Sequence, residues 1–527
     1  MPDIVFVTMQ SCAGCRNSPA CSAQRIATGI SAASTAEIFW GPKVNELVKS
    51  KVTARSSILD KTSKPAGTGV AARVVIVSNR VPSPHEKGAP AGGLAVALAD
   101  AATPGSIWFG WSGKRGHETS ETAEITESDG VSYATIDIGE RDYTRFYNGF
   151  ANGALWPLFH FRAGLIMFNR TDYESYRAVN KAFAKALLPL LKPDDLIWIH
   201  DYQLMTMATE LRALGVTNRI GFFMHIPFVP PALLEVLPPA AELLEGLSAC
   251  DVVGFQRESD RLAFLDCVKV FLNIIAARDG SYSFANHSVR AVLTPIGIDA
   301  DKFTRLARRA EMTGDAKRLN ESLEDRALVL GVDRLDYSKG LPQRVDAFGR
   351  LLYAFPQHLR QVNFLQIAAR SRQEVGSYQA LRRELDRRAG DINGEFSDFD
   401  WVPLRYMTHA VKRNAIAGFY RRANIGLGTP LRDGMNLVAK EYVAAQDKDN
   451  PGVLVLSKFA GAADELTEAL IVNPFDADEV AAAMHQALVM SLEERQERHA
   501  SLRNKVWTTT AQRFCETFLA HLRAPAH

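Results

Sequence analysis

Short apolar runs rich in β-branched residues recur along the chain from Arg73 onward, and helix-like stretches separate them. Runs this apolar suit strands that are buried on both faces, so the pattern predicts parallel sheets of βαβ units and an α/β fold class. The segment 295–299, PIGID, is a candidate crossover between two sheets, and a helical stretch closes the chain over about 480–523. The predicted strands cover residues 73–78, 107–111, 196–200, 220–226, 252–255, 327–332, 362–367, 424–428, 453–457 and 470–474.

The first 72 residues lack this pattern and are rich in Ser, Ala, Thr and Lys. Weak periodicity of this kind predicts a poorly ordered extension or linker over residues 1–72. Three cysteines, Cys12, Cys15 and Cys21, fall within it. Because a structural zinc site takes four ligands and a fourth is missing from the pattern, we predict no metal site there.

Composition and charge narrow the classes of function. A chain of 527 residues is too long for one hydrophobic core, so two or three domains are expected. The net charge of +2, from 61 Lys and Arg against 59 Asp and Glu, argues against nucleic acid or a membrane as a partner. Six cysteines are not a disulfide framework. With no basic segment before an apolar run at the N-terminus, we expect a cytoplasmic protein with reduced thiols.

Polar residues follow several predicted strands, at the end where parallel sheets bind ligands. Arg80 follows the first strand, and Arg334 and Lys339 follow the strand over 327–332. In a nearly neutral chain these cations predict an anion site for more than one phosphate group. The alternative is an ordinary solvated pair of surface charges. The remaining residues at strand ends are Asn79, His200, Asp201, His225, Arg370, Arg372 and Asp433.

Two glycine-containing loops precede helical patterns. Gly92 and Gly93 would let the backbone approach a phosphate, although a Gly-Gly pair there is equally typical of a simple turn. After Asp433, the free N–H groups of residues 434–438 would point at an anion, and Glu441 could accept hydrogen bonds from two ribose hydroxyls. The alternatives are a helix-start carboxylate for Asp433 and a solvated surface charge for Glu441.

Eight motifs, taken together and in order, resemble the trehalose-6-phosphate synthase family, retaining enzymes of glycosyltransferase family 20. The match runs from about Arg73 to the C-terminus. It implies the GT-B fold, with two Rossmann-like domains over 73–298 and 299–505 whose parallel sheets face a central cleft. A C-terminal helix over 506–527 would pack back on the first domain. The motifs are VVIVSNRVP, APAGGLAVAL, WFGWSG, FYNGFANGALWPLFH, IWIHDYQL, GFFMHIPF, VDRLDYSKGLPQR and TPLRDGMNLVAKEYVAAQ.

The resemblance also implies roles for the residues that match its motifs. The acceptor, glucose 6-phosphate, would be held by Arg80, Tyr147, Asp201 and Arg372. The donor, UDP-glucose, would be held by Gly92, Gly93, Arg334, Lys339, Asp433, Gly434, Met435, Asn436, Leu437, Val438 and Glu441. Anomer selectivity would depend on Trp156 and His225, which without the resemblance would be taken for core side chains. The catalytic residues would be Arg334, Lys339, His225 and Asp433.

The activity implied is transfer of glucose from UDP-glucose to glucose 6-phosphate with retention, without a cofactor or metal, in a homo-oligomer. Alternatives are a glucosylglycerol-phosphate synthase-like transferase with another phosphorylated acceptor, and a catalytically silent sugar-phosphate sensor. A glycoside hydrolase built on two carboxylates is a third, but hydrolysis does not need the cations. Donor preference between UDP, GDP and ADP stays open at this point.

Overall fold

Two parallel sheets organise the part of the chain that the structure describes. The structure is a computed structural model, and it describes residues 72–82, 98, 101–372 and 376–525. The predictions for the extension over 1–72 with its three cysteines, and for Gly92 and Gly93, fall outside the described residues, apart from Ala72 itself. None of the described helices is both long and apolar enough to cross a membrane.

The first sheet has nine strands within the described residues, in the order β3-β4-β2-β1-β5-β6-β7-β9-β8. The seven inner strands run parallel, and the edge strands β3 and β8 pair antiparallel with β4 and β9. The strands are β1 (Val74–Arg80), β2 (Ile107–Gly116), β3 (Glu124–Ser128), β4 (Val131–Gly139), β5 (Leu196–His200), β6 (Arg219–Phe223), β7 (Val252–Phe255), β8 (Ser281–Phe284) and β9 (His287–Leu293).

The second sheet has six strands within the described residues, all parallel, in the order β12-β11-β10-β13-β14-β15. The strands are β10 (Ala327–Arg334), β11 (Val362–Ala369), β12 (Leu404–Met407), β13 (Ile425–Gly428), β14 (Val453–Ser457) and β15 (Leu470–Val472). All ten predicted runs therefore contain strands, and the prediction of two mainly parallel sheets in an α/β fold is confirmed.

Helices flank both sheets. Those of the first half are Glu140–Asp142, Trp156–Phe159, Arg170–Leu187, Met207–Ala213, Pro231–Leu234, Ala240–Ser248 and Glu258–Leu272, with a π-helix at Tyr143–Leu155. Those of the second half are Ala300–Glu311, Gly314–Leu323, Leu341–Ala354, Gly376–Phe396, Arg413–Arg422, Leu437–Ala445, Ala477–Val489, Leu492–Thr508 and Ala511–Arg523. Short 3₁₀ turns lie at Ala163–Leu165, Leu188–Leu190, Tyr202–Leu204, Tyr337–Lys339, Pro356–His358 and Gly461–Asp464.

The chain passes twice between the sheets. The first crossover, residues 295–299, leads from β9 to the helix Ala300–Glu311, and the second, residues 509–510, leads to the last helix. Each crossover ends in a residue whose side chain caps the next helix: Asp299 accepts from the N–H of Lys302, and Thr510 accepts from the N–H of Arg513. We call the described residues within 72–294 and 511–525 the first lobe, and the described residues within 300–508 the second lobe.

The last helix returns to the first sheet through aromatic packing. The ring of Phe518 stacks on Trp198 of β5 at 4.7 Å, and Phe514 meets Phe223 of β6 edge-on at 4.8 Å. Trp198 and Phe223 are fully buried, so this contact closes one face of the first sheet. The helix Ala511–Arg523, which follows the second crossover directly, therefore packs against the first lobe.

Candidate functional site

Arg80 and Tyr147 both belong to the first lobe and lie near Trp111. The exposed Arg80 guanidinium covers Gly113, where an added Cβ would come within 2.9 Å of Nη2. The strand register pairs Arg80 with Trp111, and the Trp111 ring lies 6.3 Å from the ring of Tyr147. The structure thus groups these two predicted acceptor residues around one tryptophan.

The loop after β5 carries Asp201 in a positive-φ backbone conformation, with φ of 76° and ψ of 166°. Such a conformation costs energy for a residue other than glycine and is common at functional sites. The backbone N–H of His225 donates to Asp201 Oδ1 over 3.2 Å. Burial raises the pKa of the Asp201 carboxyl to about 7, although its N–H donors and the charge of Arg372 oppose the shift. Asp201 is therefore a carboxyl that can change charge near neutral pH.

His225 follows β6, which ends at Phe223. Its Nε2 lies 2.9 Å from Nδ1 of His200, and its Nδ1 lies 3.4 Å from the side-chain amide of Gln256. Burial lowers the pKa of His225 to about 3, so the ring is neutral at physiological pH. Both ring nitrogens have protein partners, and the backbone carbonyl of His225 faces the second lobe.

Trp156 is the side chain around which the two lobes meet. It belongs to the first lobe and is 4% exposed. From the second lobe, the guanidinium of Arg372 lies 3.8 Å above its ring centroid, and that of Arg334 lies at 5.7 Å. Its indole N–H donates to Asp336 Oδ1 at 3.3 Å. Three of the residues singled out from the sequence are therefore brought together in the cleft.

Asp336 is a central residue of the site that sequence reasoning missed. It is fully buried and accepts hydrogen bonds from Tyr378 at 2.9 Å and from Arg372 at 3.3 Å. Burial opposes its ionisation, but Arg372 and Arg334 outweigh burial and hold the pKa of Asp336 well below its usual range. Arg372 also donates to the hydroxyl of Tyr202 at 3.0 Å. Asp336 thus holds Arg372 in place beside Trp156.

The predicted diphosphate loop is built around an ion pair. Lys339 Nζ lies 2.5 Å from Asp433 Oδ2, and the Asn436 side-chain amide donates to the same oxygen at 3.1 Å. Asn436 is the residue that caps the helix Leu437–Ala445, through a bond from the N–H of Ala439. The alternative of Asp433 as a helix-start carboxylate is therefore wrong, since Asp433 instead pairs with a lysine.

Gly434 is the point where this loop touches the first lobe. An added Cβ on Gly434 would lie 2.1 Å from the carbonyl oxygen of His225, which no side chain could tolerate. Met435 beside it is 4% exposed and packs in the core of the second lobe, whereas Leu437 and Val438 at the start of the helix are only partly buried. The loop thus packs against the first lobe at Gly434, and the helix start is partly exposed at Leu437 and Val438.

Glu441 is not a solvated surface charge. Its side chain is 15% exposed and accepts from Arg413 at 2.8 Å. Burial raises the pKa of Glu441, while Arg413 opposes the shift. Arg413 is a further residue that sequence reasoning missed, because its partner lies 28 positions away.

His160 completes the base of the site. Its ring lies 4.0 Å from that of Trp156, and its Nδ1 lies 2.8 Å from the Trp156 carbonyl. Burial lowers the pKa of His160 to about 4 despite the nearby carboxylates of Asp336 and Asp433. A neutral, bonded imidazole therefore supports the tryptophan. Among the described residues, no group of three or more His, Cys, Asp or Glu side chains is placed to hold a metal ion.

Taken together, the cleft presents cations and a helix start from the second lobe towards an aromatic ring and a titratable carboxyl from the first. Such an arrangement can bind an anionic leaving group on one side and a hydroxyl-bearing acceptor on the other. The contacts between the lobes include those of Trp156 with Arg372 and of His225 with Gly434.

Comparison with known proteins assigns the family. The family described as Glycosyltransferase family 20 matches residues 72–524. A trehalose-6-phosphate synthase of Klebsiella pneumoniae subsp. pneumoniae is 48% identical over 431 residues, covering 82% of this chain and 90% of the relative. A UDP-forming α,α-trehalose-phosphate synthase from Burkholderia xenovorans, solved in complex with glucose-6-phosphate, is 45% identical, with a TM-score of 0.83 over 86% of this chain and 100% of that chain.

A trehalose-6-phosphate structure from E. coli, bound with UDP-2-fluoro glucose, is similar to the same extent. It is 44% identical and superposes with a TM-score of 0.82 over 86% of this chain and 100% of that chain. The family match covers well over half of the chain, and the GT-B arrangement of two mainly parallel sheets is shared with these structures. This chain therefore belongs to glycosyltransferase family 20.

Proposed function

We infer that the chain is an α,α-trehalose-6-phosphate synthase, which transfers glucose from UDP-glucose to glucose 6-phosphate with retention and releases UDP. The observation that carries this function is the meeting of Arg334 and Arg372 over Trp156. Two cations from one lobe and an aromatic wall from the other enclose a site for a sugar that carries phosphate. The ligands of the Burkholderia xenovorans and E. coli relatives belong to the same two substrate classes.

On the acceptor side, we assign the 6-phosphate to Arg80, Arg372 and the hydroxyl of Tyr147. The ring of Tyr147 lies 6.3 Å from that of Trp111, the residue that the strand register pairs with Arg80. Asp201 in its ionised form would accept hydrogen bonds from sugar hydroxyls. A phosphate held away from the reacting carbon orients the acceptor, so its binding energy contributes to transfer.

On the donor side, we assign the diphosphate to Arg334, Lys339 and the helix start after Asp433. Residues 434–438 lie where the helix Leu437–Ala445 begins, and a helix N-terminus favours negative charge. Glu441 would accept from the ribose hydroxyls, with Arg413 holding it in place at 2.8 Å. The assignment of Gly92 and Gly93 to the diphosphate stays a prediction, since they lie outside the described residues.

Near the reacting carbon, we assign two side chains to the sugars. Trp156 would wall the sugar pocket and set anomer selectivity. His225 would face the donor sugar, close to Gly434 of the second lobe. As the anomeric bond to the diphosphate breaks, charge grows on the leaving phosphate, where the cations stabilise it. A bond forms from the acceptor's anomeric oxygen on the same face, and the leaving phosphate accepts that hydroxyl proton.

The test is Arg334→Ala. The Arg334 side chain is exposed and its described ring contact is with Trp156, so its removal should leave the fold intact. Turnover of UDP-glucose and glucose 6-phosphate should fall by about 10²- to 10³-fold, as for a lost electrostatic donor. The matched control is Arg503→Ala, which removes an arginine lying 4.1 Å over Trp507, and it should keep wild-type turnover.

The products decide between the alternatives. Wild-type protein should form trehalose 6-phosphate and UDP, measured by chromatography, and glycerol 3-phosphate should be a poor acceptor by comparison. If a product formed only with glycerol 3-phosphate, the assignment of glucose 6-phosphate as the acceptor would be wrong. If Arg334→Ala kept near-wild-type turnover, the role assigned to Arg334 would be wrong. The homo-oligomer and the cytoplasmic location also stay predictions, and light scattering of the purified chain tests the former.

A further inference from the structure

A completely buried lysine lies on the helix that begins at the proposed donor site. The side chain of Lys440 is 0% exposed. A lysine is rarely buried so deeply unless it is paired, because the ammonium loses its hydration. Its Nζ donates to Glu465 Oε2 and to the backbone carbonyl of Ile296, both at 2.9 Å, and lies 3.5 Å from Thr509 Oγ1. Burial lowers the pKa of Lys440, and Glu465 opposes that shift.

Two of these acceptors belong to the connections between the lobes. Ile296 lies in the first crossover and Thr509 in the second. The crossovers touch through their backbones, because an added Cβ on Gly297 would lie 1.7 Å from the carbonyl oxygen of Thr509. The hydroxyl of Thr509 also bonds to Glu465 at 2.9 Å. One ammonium therefore joins both crossovers to a helix of the second lobe.

The Ile296 peptide continues this path into the first lobe. Its N–H donates to Gln256 Oε1 at 2.9 Å, and the amide nitrogen of Gln256 lies 3.4 Å from Nδ1 of His225. The carbonyl of the same residue binds Lys440. A continuous series of hydrogen bonds thus links the donor helix with the loop that carries His225, and it passes through the crossover.

We propose that Lys440 is a positioning residue for glucosyl transfer, whose ammonium holds both crossovers against the helix Leu437–Ala445 and so fixes the donor site relative to the first lobe. This rests on the proposed function. Most of the assigned donor contacts lie in the second lobe, together with the helix Leu437–Ala445. UDP binding therefore does not depend on how this lobe is placed relative to the first. Glucosyl transfer does depend on the relative placement of the lobes, because the donor and acceptor residues come from different lobes.

The test is the double variant Lys440→Met with Glu465→Gln, which removes the charge pair without leaving a buried carboxylate alone. Because a misplacement of about 1 Å can cost 10²-fold, kcat should fall by about 10- to 100-fold. The Kd for UDP, measured by calorimetry, should change by less than about threefold. The matched control is Lys448→Met, a lysine just beyond the helix that is 74% exposed, and it should keep the wild-type kcat.

Two outcomes would overturn the proposal. In the first, the double variant keeps the wild-type kcat; in the second, its affinity for UDP falls by the same factor as its kcat. If the double variant does not fold, Thr509→Val removes one hydroxyl from the same cluster. It should lower kcat by about two- to fivefold with UDP binding unchanged, and a wild-type kcat would count against the proposal. A wild-type chain that forms no trehalose 6-phosphate would contradict the proposed function instead.

Discussion

Two cations of the cleft, Arg372 and Lys339, are already paired with carboxylates of the protein. Arg372 bonds to Asp336, and Lys339 bonds to Asp433. These carboxylates hold the cations in fixed directions before a substrate arrives, which lowers the reorganisation needed during the reaction. Arg334 differs, because it is exposed. We therefore expect the paired cations to be sensitive to loss of their partners, and Arg334 to be sensitive only to its own loss.

Asp336→Asn tests this view of Arg372. The change leaves an arginine with a side chain 7% exposed and without its counter-charge, which should destabilise the fold by about 3–5 kcal/mol. It should also raise the KM for glucose 6-phosphate, since Arg372 loses its orientation. Denaturant unfolding and acceptor kinetics measure the two effects. The exposed pair of Asp478 with Arg350 is the control, and a loss of stability as small as that of Asp478→Asn would argue against the role of Asp336.

The titration of Asp201 predicts a dependence of stability on pH. Its folded-state pKa of about 7 lies above the ordinary 3.8, so the folded chain favours the protonated carboxyl. The stability gained is fully present below about pH 4 and is lost as the pH rises to about 7. Asp201→Asn should therefore reduce the fall in unfolding free energy between about pH 5 and pH 8 by about 1–3 kcal/mol. Thermal unfolding without substrates measures it.

The control for this experiment is an exposed aspartate. Asp315→Asn, on the surface of the second lobe, should keep the wild-type pH dependence, since its side chain is 48% exposed. If Asp201→Asn also keeps that dependence, the carboxyl does not titrate near neutral pH in the free protein.

Among whole elements, the sequence predicted ten of the fifteen described strands. It missed the edge strands β3, β8 and β12 and also the inner strands β4 and β9. The runs over 196–200, 252–255 and 453–457 coincide with β5, β7 and β14, because strands buried on both faces are continuously apolar. By contrast, β3 has the sequence EITES and is mostly exposed, so it has no apolar signal. The closing helical stretch predicted over about 480–523 consists of three helices in the structure.

The same limit applies to the site. Arg334, Asp201 and Arg372 follow predicted strands, and the structure brings them near one another, since parallel strands gather their carboxyl ends. The partner of Arg372, Asp336, depends on a pairing across 36 positions, and the partner of Lys339 lies 94 positions away. No local pattern contains such pairs. The family resemblance supplied the roles but not these contacts.

The helix start at Asn436 leads to an element-level prediction. Asn436 adopts a φ of 78° and both caps the helix and donates to Asp433. Asn436→Asp keeps the cap but places two carboxylates together beside the diphosphate site, so UDP affinity should fall about tenfold. Asn436→Gly tolerates the positive φ and should cost only a few tenths of a kcal/mol in stability, with about a twofold loss of affinity. Calorimetric titration with UDP that ranks the two variants equally would contradict the prediction.

Across the whole molecule, the lobes are held together by contacts of different strength. Gly434 against His225 and Trp156 against Asp336 are buried, whereas the ion pair of Arg257 with Asp464, here called the rim pair, joins the lobes at a half-exposed aspartate. The rim pair is bidentate, at 2.7 and 2.6 Å, but the Asp464 side chain is 49% exposed. Solvent therefore screens much of the energy of this ion pair. The pair should shift the equilibrium between arrangements of the lobes and contribute little to the stability of the fold.

A double-mutant cycle on the Arg257–Asp464 pair tests that role. Arg257→Gln and Asp464→Asn should each lower kcat/KM for UDP-glucose by about two- to fivefold, because each weakens the lobe arrangement that assembles the site. Their coupling should be about 0.5–1 kcal/mol at low salt and should shrink at about 0.5 M NaCl, since the pair is screened. Additive effects at both salt concentrations would mean that the two side chains act on transfer independently, and the rim contact would then have no part in aligning the lobes.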